Sequence, residues 1–275
     1  MRKFFILGAA IVVSLAMLLT ACKKDEVNNN GNNNGNTENP SGGSSNLDHV
    51  LPNAVTDIDG NHYDAVQIGN QVWMAENLCT TRYADGTTIP LGSSTSTITS
   101  YRYNPNNNAN NVPTYGYLYN WPAVMHGESS SAANPSGVQG ICPNGWHVPS
   151  DAEWTQLTNY MKTQPTYMAS GNADHLAKAL AATWGWNSTS VTDAPGNDPS
   201  TNNATGFSAL PAGYYYGGGY NYGGYNYFGD DALFWSATEY NDNNAFNRDL
   251  SYNIASVGRY SNYKYIGFSV RCVRD

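Results

Sequence analysis

Between Val27 and Asn46 the chain is built almost entirely of Asn, Gly, Ser, Thr and Pro, with nine Asn, a single aliphatic residue and no aromatic one. Such a stretch cannot bury enough apolar surface to offset the entropy lost on ordering. It therefore reads as a flexible tether, spanning on the order of 20–30 Å r.m.s.. Everything that can form a core lies after it, and the expected order begins near Ala54.

What precedes the tether is a targeting segment. Arg2 and Lys3 stand before a 16-residue apolar run, Phe4 to Leu19. That run is short of the roughly 20 residues a bilayer-spanning helix needs, and it has the layout of a secretory signal. Leu19-Thr20-Ala21-Cys22 resembles a bacterial lipobox, which implies cleavage after residue 21 and acylation of Cys22. Two or three acyl chains hold a protein at a membrane where one is marginal. The following Lys23-Lys24-Asp25-Glu26 resembles the export signal of Bacteroidetes lipoproteins. That resemblance implies an outer-membrane lipoprotein displayed at the cell surface, with residues 22–53 as its linker.

Charge narrows the function classes. The chain has 13 basic against 21 acidic residues, a net charge of −8, and only 12% charged residues with 13% aromatic. Removing residues 1–21 leaves 11 basic residues and a net of −10. No basic stripe is available to displace counterions from phosphate, so nucleic acid is not an expected partner.

Within the folded part, Tyr63, Val66 and Ile68, then Val72, Trp73 and Met74, flank Gly69-Asn70, a two-residue hairpin signal. Ser150 and Glu153 have capping-box spacing. Trp154, Leu157 and Met161 recur at helical spacing, predicting a helix over about 151–162. A second helix is expected over 173–184, with Leu176, Leu180 and Trp184 on one face. Short strands are expected at 207–210, 233–238, 246–254 and 265–273. Helices followed by strands point to an α+β fold.

Seven ordered blocks carry a resemblance: Val55 to Asn61, Gln71 to Leu78, Tyr117 to Trp121, Cys142 to Trp154, Gly206 to Gly213, Phe234 to Glu239 and Gly267 to Arg274. Together they resemble the Fibrobacter succinogenes major paralogous domain, over about residues 54–275. The Gly145-to-Trp154 block is also similar to the helix entry of C-type-lectin-like and formylglycine-generating-enzyme folds. The resemblance implies a single C-type-lectin-like domain, and by analogy a bridge from Cys142, before the first helix, to Cys272 in the last strand. Cys79 departs from the family pattern and is left odd, either buried or free for an intermolecular partner. The paired active-site cysteines of the formylglycine-generating enzymes have no counterpart here.

The chemistry-bearing residues are sparse. His49, His62, His126, His147 and His175 show no metal-ligand spacing, so no metal or cofactor is expected. His147 reads as a packed histidine bonding a turn carbonyl. Asp151 and Glu153 belong to the helix cap, while Glu76 and Glu239 stand isolated. Asp57-Ile58-Asp59-Gly60-Asn61 imitates the start of a calcium loop but has Ile68 where the bidentate Glu belongs, so it reads as a turn.

One segment stands out. Residues 213–228 hold seven Tyr and six Gly, a composition suited to adaptable binding surfaces. Tyr214, Tyr216, Tyr220, Tyr222, Tyr225 and Tyr227 are the candidate binding residues for an extracellular glycan or surface protein. The expected protein is a non-enzymatic binding module. Its rivals are a carbohydrate-active or formylglycine-generating-type enzyme and a fimbria-like structural subunit.

Overall fold

The computed structural model describes residues 50–217 and 224–274. The signal segment, Cys22, the charged run at 23–26, His49, Tyr220 and Tyr222 lie outside the described residues. The chain is mixed α+β and mostly strands. Its first element, β1 (Val50–Thr56), opens four residues ahead of Ala54.

β1 pairs antiparallel with β2 (His62–Ile68), and β2 with β3 (Gln71–Met74). Period-two patterning explains β2: Tyr63, Ala65, Val66 and Ile68 are buried while His62 and Gln67 face out. The β1–β2 turn is held by Asp57, whose Oδ1 accepts the N–H groups of Asp59 and Asn61 at 2.9 and 3.0 Å. Gly69, at φ 63°, makes the two-residue turn into β3. Asp59 is committed elsewhere, accepting from Arg82 Nε at 2.6 Å. Both carboxylates of the calcium-loop imitation thus serve the turn and its packing.

β4 (Arg102–Tyr103) and β5 (Leu118–Tyr119) form a small ladder flanked by two short helices, α1 (Val112–Tyr115) and α2 (Trp121–Met125). The predicted long helix is α3 (Asp151–Met161). Its capping box is complete, with Ser150 Oγ accepting from Glu153 N at 3.1 Å and Glu153 Oε2 accepting from Ser150 N at 2.8 Å. Trp154, Leu157 and Met161 are buried as the spacing requires. Trp154 packs on Trp73 at 4.5 Å between centroids and on Phe207 and Phe234 just beyond.

The second predicted helix is corrected. Only α4 (Ala177–Leu180) forms, because the backbone beyond it pairs elsewhere. Ala209 N–H donates to Leu180 O and Ala182 N–H to Ala209 O, both at 2.8 Å, and Ala181 is extended. Tertiary pairing overrides the local helical pattern. Leu176 and Leu180 are buried, but Trp184 is 51% exposed rather than on a core face. The strand expected at 207–210 is reduced to the single bridge Ala181–Ala209.

β6 (Tyr214–Tyr216) and β7 (Gly224–Asn226) pair as a separate hairpin. β8 (Asp231–Glu239), β9 (Asn244–Ser251) and β10 (Gly258–Tyr263) form a three-stranded antiparallel sheet in the order β10-β9-β8. The chain ends in β11 (Val273–Arg274), antiparallel to β3. The continuous strand expected over 265–273 is instead a run of bridges to successive partners. Gly267 exchanges backbone bonds with Tyr215, Phe268 with Tyr119, and Val273 with His147, while Ser269 N–H donates to Leu233 O. Val270 O and Cys272 O accept from Leu78 and Met74.

Two features lock this segment. Cys142 and Cys272 form a disulfide with Cα atoms 5.9 Å apart, closing a separation of 130 residues. Arg271 is fully buried, donating to Asn77 Oδ1, Met74 O, Phe207 O and Ser208 O at 2.6–2.9 Å. Its guanidinium lies over Phe207, 4.6 Å from the ring centroid. Burial lowers its pKa to about 9, so it stays charged at neutral pH.

Removing Arg271 leaves four oxygen acceptors without their donor. Arg271→Met is expected to cost about 3–5 kcal/mol in urea denaturation. Loss of the bridge in a Cys142→Ser/Cys272→Ser double variant is expected to cost about 2–5 kcal/mol. A change below about 1 kcal/mol in either would contradict the locking role of that feature.

Candidate functional site

The hairpin β6–β7 is held against the terminal segment by the paired bonds between Tyr215 and Gly267. Gly213, at φ 64°, starts it where any Cβ would run into the carbonyl of Asn226. Register then sorts the tyrosines. Tyr215 stands opposite Tyr225, Tyr214 opposite Asn226 and Tyr216 opposite Gly224. Directly opposed residues share a face, and successive ones alternate.

Tyr215 and Tyr225 therefore turn inward. Tyr215 stacks on Tyr103 at 3.9 Å and meets Tyr225 at 5.0 Å, within a cluster that includes Leu118 and Ala212. Tyr225, half-buried, packs on the domain because its cross-strand partner is the buried Tyr215.

Tyr214 and Tyr216 occupy the other face. Tyr214 stacks near-parallel on Tyr227 at 5.5 Å, and Tyr227 is 54% exposed. Tyr216 meets Tyr265 at 5.7 Å, and the Tyr265 hydroxyl donates to the Tyr216 hydroxyl at 3.2 Å. Tyr214, Tyr216 and Tyr227 wall a cleft of about 360 Å³ whose base is the β8–β9 ladder. Asp231 pairs with Ser251 and Leu233 with Asp249, so all four side chains share the face below the rings.

The two carboxyl groups are strained by this position. Burial raises the pKa of Asp231, with Ser251 opposing through a hydrogen bond and Asp230 adding repulsion. Burial, reinforced by Asp231, raises that of Asp249 to about 7. Asp249 Oδ1 is buried with no hydrogen-bond partner among the described residues. Burial raises the Tyr214 hydroxyl too, with Tyr227, Asp231, Tyr216 and Asp249 adding to it.

Neither aspartate is evident from the sequence, since Asp231 falls just outside an expected strand and Asp249 sits unremarked within one. Asp231 lies two residues from the buried Leu233, but the same-face neighbours of Asp249 along its own strand, Asn247 and Ser251, are polar, so only the β8–β9 register brings the two acids together.

Glu153, Asp151, Glu239 and Glu76 have structural partners. Glu153 Oε1 lies 2.6 Å from His147 Nε2, so that histidine pairs with a carboxylate rather than with a turn carbonyl. Asp151 binds Arg248 and Arg259, Glu239 binds Lys264 at 2.6 Å, and Glu76 Oε2 accepts from Asp64 N. Cys79 is buried beside the Tyr63 hydroxyl, 3.3 Å from its Sγ. Of the two alternatives left open for it, the buried one therefore holds.

Compared with known sequences, residues 66–274 match the Fibrobacter succinogenes major domain. The chain belongs to this family. No curated protein and no solved structure matches it. The family match takes in the tyrosine hairpin, both aspartates, both cysteines of the bridge and Arg271. It begins inside β2, so β1 and the Asp57 turn lie ahead of it.

The raised Asp249 pKa has a definite sign in stability. The folded chain keeps this proton to about pH 7, whereas an unfolded one releases it near 4. Stability therefore falls as pH rises through that window, by a few kcal/mol, on the order of 3–4. Comparing denaturation of wild type and Asp249→Asn at pH 5 and 8 checks this. The variant is expected to gain relative to wild type at the higher pH, and parallel pH profiles would contradict the assignment.

Proposed function

We propose that this chain is a lipid-anchored, surface-displayed protein whose single domain binds an extracellular glycan without transforming it. The observation that carries the reading is the set of Tyr214, Tyr216 and Tyr227 rings over a 360 Å³ cleft. Tyrosine offers a large amphipathic ring with few rotors, suited to the faces of sugars and to adaptable contacts. A C-type-lectin-like arrangement fits the adjacency of β1, β2, β3 and β11 and the 130-residue span of the bridge.

The anchor at Cys22, with the residues between it and β1 as a spacer, supports membrane attachment through lipid. The Lys-Asp-Glu run at 24–26 supports placement at the outer face of the outer membrane. A second reading, hydrolysis of the bound glycan, is favoured by one observation. Asp231 and Asp249 are neighbouring carboxyls, and one of them holds its proton near neutrality.

A glycan array tests the first reading, with wild type set against a Tyr214→Ala/Tyr227→Ala variant. Loss of about tenfold or more in affinity is expected, in line with aromatic contacts of this kind. Unchanged binding would remove the hairpin, and capture of a protein instead of a sugar would replace the ligand class. Release of new reducing ends would favour the hydrolytic reading. For the anchor, mass spectrometry is expected to find diacylglycerol on the Cys22 sulfur, and Cys22 found in a disulfide would overturn it.

A further inference from the structure

The cleft's chemistry narrows the ligand beyond a generic sugar. Its walls are tyrosine rings and its base carries two carboxyl groups. None of the described residues lining it is basic. Asp231 and Asp249 are diagonal neighbours across β8 and β9, since Asp249 stands opposite Leu233 and Ser251 opposite Asp231. On an antiparallel ladder such neighbours are about 7–8 Å apart at most, close enough for one group to contact both. Ser251 hydrogen-bonds Asp231, but Asp249 Oδ1 is buried with no partner among the described residues.

We propose that the cleft takes a saccharide bearing a free amine, with the ammonium between Asp231 and Asp249 and the sugar ring on the tyrosine wall. This rests on the glycan-binding reading and specifies its substrate class. An ammonium has three donors and no acceptor. It relieves the repulsion between the two carboxyls and gives the buried Asp249 oxygen the donor it lacks. Electron-rich ring faces attract the same charge. An N-acetylated or purely hydroxylated sugar offers no cation for this pair of acids. The chain's net charge of −8 favours approach of a cation rather than an anion.

The surroundings of Asp249 agree in sign. Asp231 faces it from β8, Tyr214 and Tyr216 from β6, and Tyr227 from beyond β7. On β10 its cross-strand partner is Gly258, against which the Tyr260 ring lies. Asn262, further along β10, is held by Asn247 at 3.0 Å and is neutral. Among the described residues, none of the groups facing Asp249 is basic, so none competes with a ligand cation.

Calorimetric titration of the full chain with glucosamine trisaccharide and with its N-acetylated counterpart tests the proposal. The free-amine oligomer is expected to bind at least about tenfold more tightly, with release of a proton as Asp249 ionises. Asp249→Asn and Asp231→Asn are each expected to abolish that preference, and thermal melts confirm that each variant is folded. Tyr214→Ala is expected to weaken both ligands. Equal affinities that still depend on Tyr214 would overturn amine selection and leave glycan binding intact. If neither oligomer binds, amine selection is likewise overturned, while the glycan array decides the broader reading by itself. A preference that survives both aspartate variants would also overturn it.

Discussion

The backbone of residues 267–273 is the one strip that the other parts of the domain share. Gly267 bonds to the tyrosine hairpin, Phe268 to β5 and Ser269 to β8. Val270 and Cys272 reach the segment at and after β3, and Val273 reaches His147 just ahead of α3. Taken alone, the small ladders are too short to be stable, since two-stranded pairs are marginal in water. Joined through one strip they become a single cooperative unit. That strip could not be an ordinary strand, because a strand has only two edges and this one serves five neighbours. It changes partner almost residue by residue, which also explains why its periodicity is poor as a strand signal.

Burying Arg271 within that strip is the cost of this arrangement. The partner changes leave carbonyls of Met74, Phe207 and Ser208 pointing at a common interior point without backbone donors. A guanidinium supplies a planar fork of donors that reaches all of them at once. Phe207 and Phe234 then cover its faces. A lysine has the charge but not the fork, so it could not replace all of these bonds. The disulfide acts next door, on Cys272, by restricting the unfolded chain rather than by adding a native contact. One fastening satisfies polar groups in the folded state and the other limits the entropy of the unfolded state.

Local rules made part of this legible. The hairpin at Gly69-Asn70, the capping box at Ser150 and Glu153, and the helix over 151–161 depend on residues a few positions apart, and there the pattern and the structure agree. The Cys142–Cys272 pairing was legible only through family resemblance, since spacing alone leaves the partners open. What failed depends on distant partners. The helix over 173–184 gave way because residue 209 claims the backbone at 180–182. The inward packing of Tyr225 follows from its place opposite Tyr215, which only the β6–β7 register shows. Asp231 and Asp249 were overlooked because neither belongs to a motif, and only the β8–β9 register brings them together.

Those two acids differ from Asp151 and Glu239, which are paired with basic side chains. The helix cap, the Asp57 turn and Arg271 likewise have their hydrogen-bond partners. Asp249 instead keeps an oxygen buried without one, beside a second carboxyl, at a cost in stability that rises with pH. Replacing it by an apolar residue would remove that cost, and the neighbouring Leu233 shows that the face accommodates one. Where a chain departs from local rules without a structural return, the departure points to a task for the site. Here the departure sits at the base of the tyrosine-walled cleft. On the proposal made above, the missing partner arrives with the ligand, and the folded domain holds the two carboxyl groups ready for it.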